Sequence, residues 1–179
     1  MRPAIALTYL VRELEFSVVA GGLLAGLPFV LAGIADLVGG RLTDHLAATR
    51  GLQIARSGLG ACAFGTCALL VLASVVASNT VVKALLLAVA LATADLALSA
   101  CWAVCLDVGG HHAGVVTGFM NTAGNLGGLV GPLVFGFAVD RWQSWSIPFL
   151  VTAAVYGVGA ILWLAIDPHR LLVEPASTS

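Results

Sequence analysis

Charged side chains are scarce in this sequence, which has 8 Lys and Arg residues and 9 Asp and Glu residues among 179. A hydrophobic share of 60% and a mean hydropathy of +1.03 exclude an ordinary soluble domain. The formal charge of −1 leaves no basic patch that could neutralise phosphates, which excludes a nucleic-acid partner. The composition is that of a protein embedded in a lipid bilayer.

Motifs for catalysis, metal binding and cofactors are also lacking. The sequence has no H-E-x-x-H, no G-x-S-x-G and no pair of aspartates spaced to share a proton, so no enzyme is expected. Its cysteines lie in apolar runs without C-x-x-C spacing, which favours buried apolar side chains over disulfide or zinc chemistry. Asp107 with His111 and His112 offers too few ligands for a metal, and no cofactor is expected.

What the sequence does contain is a series of apolar runs long enough to cross a bilayer. The run from Ala113 to Val139 makes about 40 Å of helix, against about 30 Å of hydrocarbon core. The runs predict an all-α polytopic membrane helix bundle in one domain, residues 1–170, followed by a disordered tail, 171–179. The expected spans are 18–40, 57–78, 84–106, 113–139 and 147–166.

The N-terminal residues predict only part of a helix. The uncharged stretch between Arg2 and Arg12 makes about 14 Å of helix, roughly half a membrane. It lacks the small-residue cleavage site of a signal peptide. We therefore expect a truncated first helix. The basic residues then divide between the two sides of the membrane, and their bias favours a cytoplasmic location for residues 40–56 and the C-terminus.

The run from Ala113 to Val139 carries a stripe of small and polar residues at helical spacing. Such a stripe lets another backbone approach closely, and amides within a bilayer are costly unless they meet protein or water. The sequence therefore predicts a helix packed deep in the bundle, with its amides facing a cavity or a neighbour. The stripe consists of Gly114, Gly118, Asn121, Asn125, Gly128 and Pro132.

Three residues of the preceding span, Asp95, Ser99 and Trp102, share one helical face. An ionisable group near the middle of a membrane is a functional candidate by default. In this interpretation Asp95 takes and releases a coupling proton, Ser99 hydrogen-bonds the substrate, and Trp102 forms a cavity wall. Alternatively, Asp95 is neutral or paired with a neighbouring helix, and Trp102 only packs.

Asn121 and Asn125 are the other candidate substrate-binding residues, because an amide offers both donors and an acceptor to substrate hydroxyls. The alternative is interhelical hydrogen bonding, worth about 0.6–2 kcal/mol each. The pattern favours substrate contact for Asn121 and interhelical bonding for Asn125.

A second polar group lies near the end of the first full span. Asp36, Gly40, Arg41 and Asp44 are expected to form a charge network that latches one conformation, unless they are simply a solvated helix end. The Gly40-x-x-x-Asp44 pattern is repeated at Gly136-x-x-x-Asp140, at the end of a span of opposite direction. Weak similarity between segments of opposite topology is typical of inverted repeats in secondary transporters.

Two motifs resemble the major facilitator superfamily. GGRLTDHL, residues 39–46, is similar to its Gly-x-x-x-Asp loop between helices 8 and 9. The run from Trp102 to Pro132 is similar to helices 10 and 11 of its anion:cation symporter branch, and GFMNTAGNLGGLVGP, residues 118–132, is the specific part of that run. That branch carries hexuronates, galactonate, glucarate, tartrate and related anions. The chain departs from the loop pattern at His45, where Arg or Lys is usual, and at Ala47 and Ala48, which replace further basic residues.

The resemblance implies the C-terminal half of a transporter, from the end of helix 7 to helix 12, with Trp102 and Asn121 in the cavity between the halves. The implied function is secondary transport of a small organic anion such as a sugar acid, by proton symport with alternating access, in the cell membrane. The implied partners are the anion, a coupling cation such as the proton, the bilayer, and the missing N-terminal half or a second chain. Because no Lys or Arg lies inside a span, the other half must supply a cation for the anion. The alternative is a five-span scaffold or assembly protein that transports nothing.

Overall fold

The structure is a computed structural model that describes residues 18–172, and every regular element in that range is helical. This confirms the predicted all-α fold class. A π-helical turn, Ile54–Gly58, precedes the second helix, and a 3-10 turn, Gly110–His112, joins the third helix to the fourth. The expected helix before Arg12 and the tail beyond Leu172 lie outside the described residues. The helices are α1 Val18–Arg50, α2 Leu59–Val76, α3 Thr80–Gly109, α4 Ala113–Trp142 and α5 Ser146–Leu164.

Three helical stretches among the described residues are long and apolar enough to cross a membrane: Ile54–Val76, Thr80–Trp142 and Ser146–Leu164. The second combines α3, the 3-10 turn and α4, and the chain changes direction at Gly110, where φ is +47°. Each of these two helices has 30 residues, or about 45 Å, which is enough for one crossing.

Helix α1 is longer than the charge pattern indicated. It continues past Gly40 to Arg50, so most of the expected polar segment 40–56 is helical. Residues 41–50 contain neither Gly nor Pro and include several good helix formers, and the helix ends only at Gly51, where φ is +88°. The charges mark where the helix leaves the apolar layer rather than where it stops.

The interior of the bundle consists mainly of small side chains, and α3 contributes more buried alanines than any other described helix. These alanines are spaced at intervals of two to four residues and let α1 and α2 approach closely on two sides, as is usual for helices packed in membranes. Larger apolar side chains remain on the outside of the bundle, where lipid would contact them. The buried alanines of α3 are Ala84, Ala88, Ala90, Ala94, Ala97 and Ala100.

Helices α2 and α5 pack through glycines that face aromatic rings. The Trp163 ring lies directly against Gly60, and a Cβ atom at Gly159 would come within 2.7 Å of the Phe64 ring. The Phe64 ring also meets Trp163 and Tyr156 edge to face, with ring centroids 6.2 Å and 5.1 Å apart. This reciprocal arrangement attaches α5 firmly to α2.

Helix α4 packs against the other described helices only near its ends. Val116 packs against the core cluster at one end, and Phe135 meets Phe149 of α5 at the other, with ring centroids 5.5 Å apart. Every residue from 121 to 131 is exposed, and five glycines between 114 and 128 have nothing within 4 Å of an added Cβ atom. The expectation that this helix packs deep in the bundle is therefore not met by the described part of the chain.

Candidate functional site

The predicted polar residues of α3 lie where α3 touches α1. Ser99 donates a hydrogen bond from Oγ to the backbone carbonyl of Asp36, at 3.1 Å. The two helices are in close contact here, because a Cβ atom at Gly39 would lie 2.9 Å from both the Leu96 carbonyl oxygen and Ser99 Oγ. Only glycine leaves room for this approach.

Asp95 lies one helical turn before Ser99, and Asp36 lies within electrostatic range of it. Asp95 is half-buried, whereas Asp36 is exposed. The structure thus groups Asp36 with two residues of the predicted transport site. The other members of the expected latch lie one to two turns further along α1, with Arg41 and Asp44 exposed and Gly40 half-buried.

Trp102 and the two asparagines lie on accessible surfaces. Trp102, three residues after Ser99, keeps 42% of its surface exposed. Asn121 and Asn125 belong to the exposed middle of α4, and Asn125 donates from Nδ2 to the Asn121 carbonyl at 2.8 Å. This bond joins two residues of α4. It is therefore not the interhelical bond that was expected for Asn125.

A different polar cluster, missed by the sequence analysis, joins α1, the π-helical turn and α3. Arg56 Nε lies 2.7 Å from Asp107 Oδ2, and Arg56 Nη1 donates to Thr43 Oγ1 at 2.8 Å. Thr43 Oγ1 in turn donates to the Ala55 carbonyl at 2.8 Å. We call these three side chains, Thr43, Arg56 and Asp107, the rim cluster, because they lie where α1 and α3 end and α2 begins.

The π-helical turn explains how a charged side chain comes to be buried at this position. A π turn holds one more residue than an α turn, and such turns are often found at functional sites. Three consecutive residues, Ala55, Arg56 and Ser57, are buried in this turn, and Arg56 is only 8% exposed. A buried charge is stable only when it is paired and hydrogen-bonded, and the rim cluster satisfies both conditions.

A signal for the rim cluster was present in the sequence, but it needed the packing to interpret it. Arg56 directly precedes one apolar run and Asp107 directly follows another, so opposite charges flank neighbouring spans at the same side of the membrane. By sequence alone, Asp107 stands out only as a weak metal-ligand candidate beside His111 and His112. Those two histidines are exposed in the 3-10 turn.

Comparison with known proteins shows which family the chain belongs to. The family model described as Major Facilitator Superfamily matches residues 1–179. The chain is 29% identical over 169 residues to Probable sulfoacetate transporter SauU of Cupriavidus necator, covering 94% of this chain and 39% of that protein. It is 31% identical over 178 residues to Hexuronate transporter of Bacillus subtilis, covering 96% of this chain and 41% of that protein.

A plant relative extends the pattern. The chain is 31% identical over 170 residues to Probable anion transporter 4, chloroplastic, of Oryza sativa, covering 93% of this chain and 28% of that protein. The chain therefore spans about two fifths or less of the length of these relatives. The resemblance noted in the motifs, to a branch of anion carriers, is confirmed.

Proposed function

Because the chain belongs to the major facilitator superfamily, we propose that its residues form one half of a secondary transporter that moves a small organic anion by proton symport. The relatives are named as transporters of sulfoacetate, hexuronates and anions, which supports an anionic substrate such as a sugar acid. In this fold one bundle rocks against another around a site near the bilayer midplane, which is alternating access. We assign the chain to the cell membrane, with residues 40–56 and the C-terminus in the cytoplasm.

The observation that carries the proposal is the polar contact between α1 and α3 inside an apolar bundle. Asp95 lies near the middle of α3, half-buried, one turn from the Ser99 hydroxyl that bonds to α1. An ionisable group at this depth in a bilayer is a functional candidate by default. We assign proton coupling to Asp95 and substrate binding to Ser99, Trp102, Asn121 and Asn125.

The second half of the carrier would cover the exposed middle of α4. Residues 121–131 are exposed on every side, although they include two amides that lipid solvates poorly. A second bundle, from the same polypeptide or from another chain, would place Asn121 and Asn125 at a protein-lined cavity. That bundle would also supply the cation for an anionic substrate, because the spans expected from the sequence contain no Lys or Arg.

We also propose that Gly40, Arg41 and Asp44 act with Asp36 as a conformational latch at the end of α1. Arg41 and Asp44 are exposed there, at positions where the other half of the carrier could meet them. A latch of this kind is a local charge network that stabilises one of two conformations.

The test is uptake of a hexuronate and of sulfoacetate into proteoliposomes that contain the chain together with its complete N-terminal half. An inward proton gradient should drive uptake, and Asp95→Asn should abolish that dependence on the gradient. Asn121→Ala should weaken substrate affinity about threefold to tenfold, as the loss of one hydrogen bond predicts. Arg41→Gln should change the rate of transport and leave affinity unaltered.

Asp140→Asn is the matched control, because Asp140 is an exposed aspartate near the end of α4. It should leave the gradient dependence intact. Gradient-driven uptake that survives Asp95→Asn would remove Asp95 from the coupling role. No uptake of any organic anion by the complete protein would instead favour the scaffold alternative.

A further inference from the structure

The chain after α5 turns back across the end of the bundle. Residues 165–172, which we call the strap, leave the helix at Leu164 and remain in contact with the bundle. At the start of the strap, the Ile166 carbonyl accepts two hydrogen bonds, from Ser57 Oγ at 2.6 Å and from Gln53 Nε2 at 3.0 Å. The strap is therefore attached to the π-helical turn by two side chains.

The other end of the strap is attached to the end of α3. The Leu172 backbone N–H donates to the Val108 carbonyl at 2.9 Å, and the Leu171 side chain packs against Gly110. The last carbonyls of a helix have no donor within the helix, so this bond satisfies a group that would otherwise need water. A turn closed by bonds from His169 N to Asp167 Oδ1 at 3.0 Å and from Arg170 N to the Asp167 carbonyl at 3.3 Å shapes the middle of the strap.

The strap and the rim cluster bridge the same two elements at neighbouring residues. Ser57 directly follows Arg56, and Val108 directly follows Asp107. The strap therefore joins the π-helical turn to the end of α3 beside the ion pair that also joins them. Ser57 is 1% exposed and Arg56 is 8% exposed, whereas the Asp107 side chain is 23% exposed, so water already reaches one side of the ion pair.

We propose that the strap is a positioning device for the Arg56–Asp107 ion pair, and that its release admits more water to the pair and loosens the contact between the π-helical turn and α3. The outer part of the strap can detach at low cost, because Leu171 and Leu172 are exposed. Water at the ion pair raises the local dielectric and weakens the attraction between the charges. Binding or cleavage of the C-terminal residues would therefore weaken the Arg56–Asp107 ion pair by releasing the strap.

The test follows the Arg56 Nε–H proton, which the ion pair protects, by nuclear magnetic resonance of the full chain in lipid nanodiscs. Leu172→Pro removes the backbone donor to Val108 and should make this proton exchange with water about fivefold to tenfold faster, as the loss of one hydrogen bond predicts. Leu172→Ala is the matched control, since it keeps the N–H and trims only an exposed side chain. In Leu172→Ala, the Arg56 Nε–H proton should exchange at the same rate as in the native chain.

Ser57→Ala tests the other attachment without changing the backbone, and should accelerate the same exchange by a similar factor. Its control is Ser74→Ala, because Ser74 is also buried but bonds to Val71 within its own helix. Amide exchange along α2 reports whether each variant remains folded. If Arg56 Nε–H exchange is unchanged in both Leu172→Pro and Ser57→Ala while α2 stays protected, the strap does not position the ion pair. The assay requires no transport, so its outcome is independent of the proposed function.

Discussion

At the scale of single residues, the charges of the rim cluster predict a large effect on stability. Asp107→Ala leaves Arg56 buried without its partner, and breaking a buried pair in this way costs about 3 kcal/mol. We expect the free energy of unfolding to fall by about that amount. Denaturant titration of the protein in detergent micelles, followed by tryptophan fluorescence, would measure the loss.

The control for this prediction is Asp140→Ala, which removes an exposed carboxylate and should change stability little. A combined replacement, Arg56→Met with Asp107→Leu, adds a second discriminating result. Because removing both charges also removes their desolvation cost, the double variant should recover most of the stability lost in Asp107→Ala. Equal losses from Asp107→Ala and Asp140→Ala would contradict the importance of burial at this site.

The grouping of individual residues could be predicted from the sequence only where helical spacing was sufficient. Asp95, Ser99 and Trp102 fall on one face by spacing alone, and the structure adds the bond from Ser99 to Asp36. The pairing of Arg56 with Asp107 could not be predicted in this way. It depends on a π-helical turn and on the packing of elements that are distant in the sequence, neither of which has a periodic signature.

At the scale of helices, the contact between α1 and α3 depends on one glycine. Gly39→Ala would place a Cβ atom 2.9 Å from the backbone carbonyl of Leu96, which cannot move aside as a flexible side chain does. We expect α1 to shift away from α3 and the Ser99–Asp36 bond to weaken, at a cost of about 1–3 kcal/mol in the free energy of unfolding. Denaturant titration in detergent micelles, as for Asp107→Ala, would measure this loss in the free energy of unfolding.

Gly33→Ala is the matched control on the same helix, because nothing lies within 4 Å of an added Cβ atom there. It should be neutral or slightly stabilising, since alanine favours helix more than glycine does. If Gly39→Ala and Gly33→Ala have the same stability, α1 and α3 do not rely on close contact at this position.

The helical class was predictable because long apolar runs with few charges have no other stable form in a bilayer. The end of α1 was not predictable in the same way, because a run of charged residues is compatible both with a loop and with a helix that continues into water. Arg41, Asp44 and Arg50 are all compatible with a helix that extends beyond the apolar layer, and only Gly51 supplies a conformation that ends it. The positions of charged residues therefore indicate where the membrane ends better than they indicate where a helix ends.

At the scale of the whole molecule, α4 distinguishes a half-carrier from a self-sufficient bundle. The other described helices pack against their neighbours more extensively, whereas α4 is attached near Val116 and Phe135 and exposed between them. The exposed stretch, residues 121–131, lies within the motif that resembles the anion carriers. The chain covers about two fifths or less of the length of these relatives.

This arrangement predicts a change in accessibility when the two halves meet. In a Cys62→Ser background, Asn125→Cys should react readily with a thiol reagent when the chain is alone in detergent, because residue 125 is exposed. Adding the complete N-terminal half should slow this reaction about tenfold or more, since burial of the site would require a local opening before reaction. Val155→Cys, at an exposed position of α5, should react equally fast in both preparations. Equal slowing at both positions would indicate general shielding, and no slowing at residue 125 would show that α4 is not the contact surface between the halves.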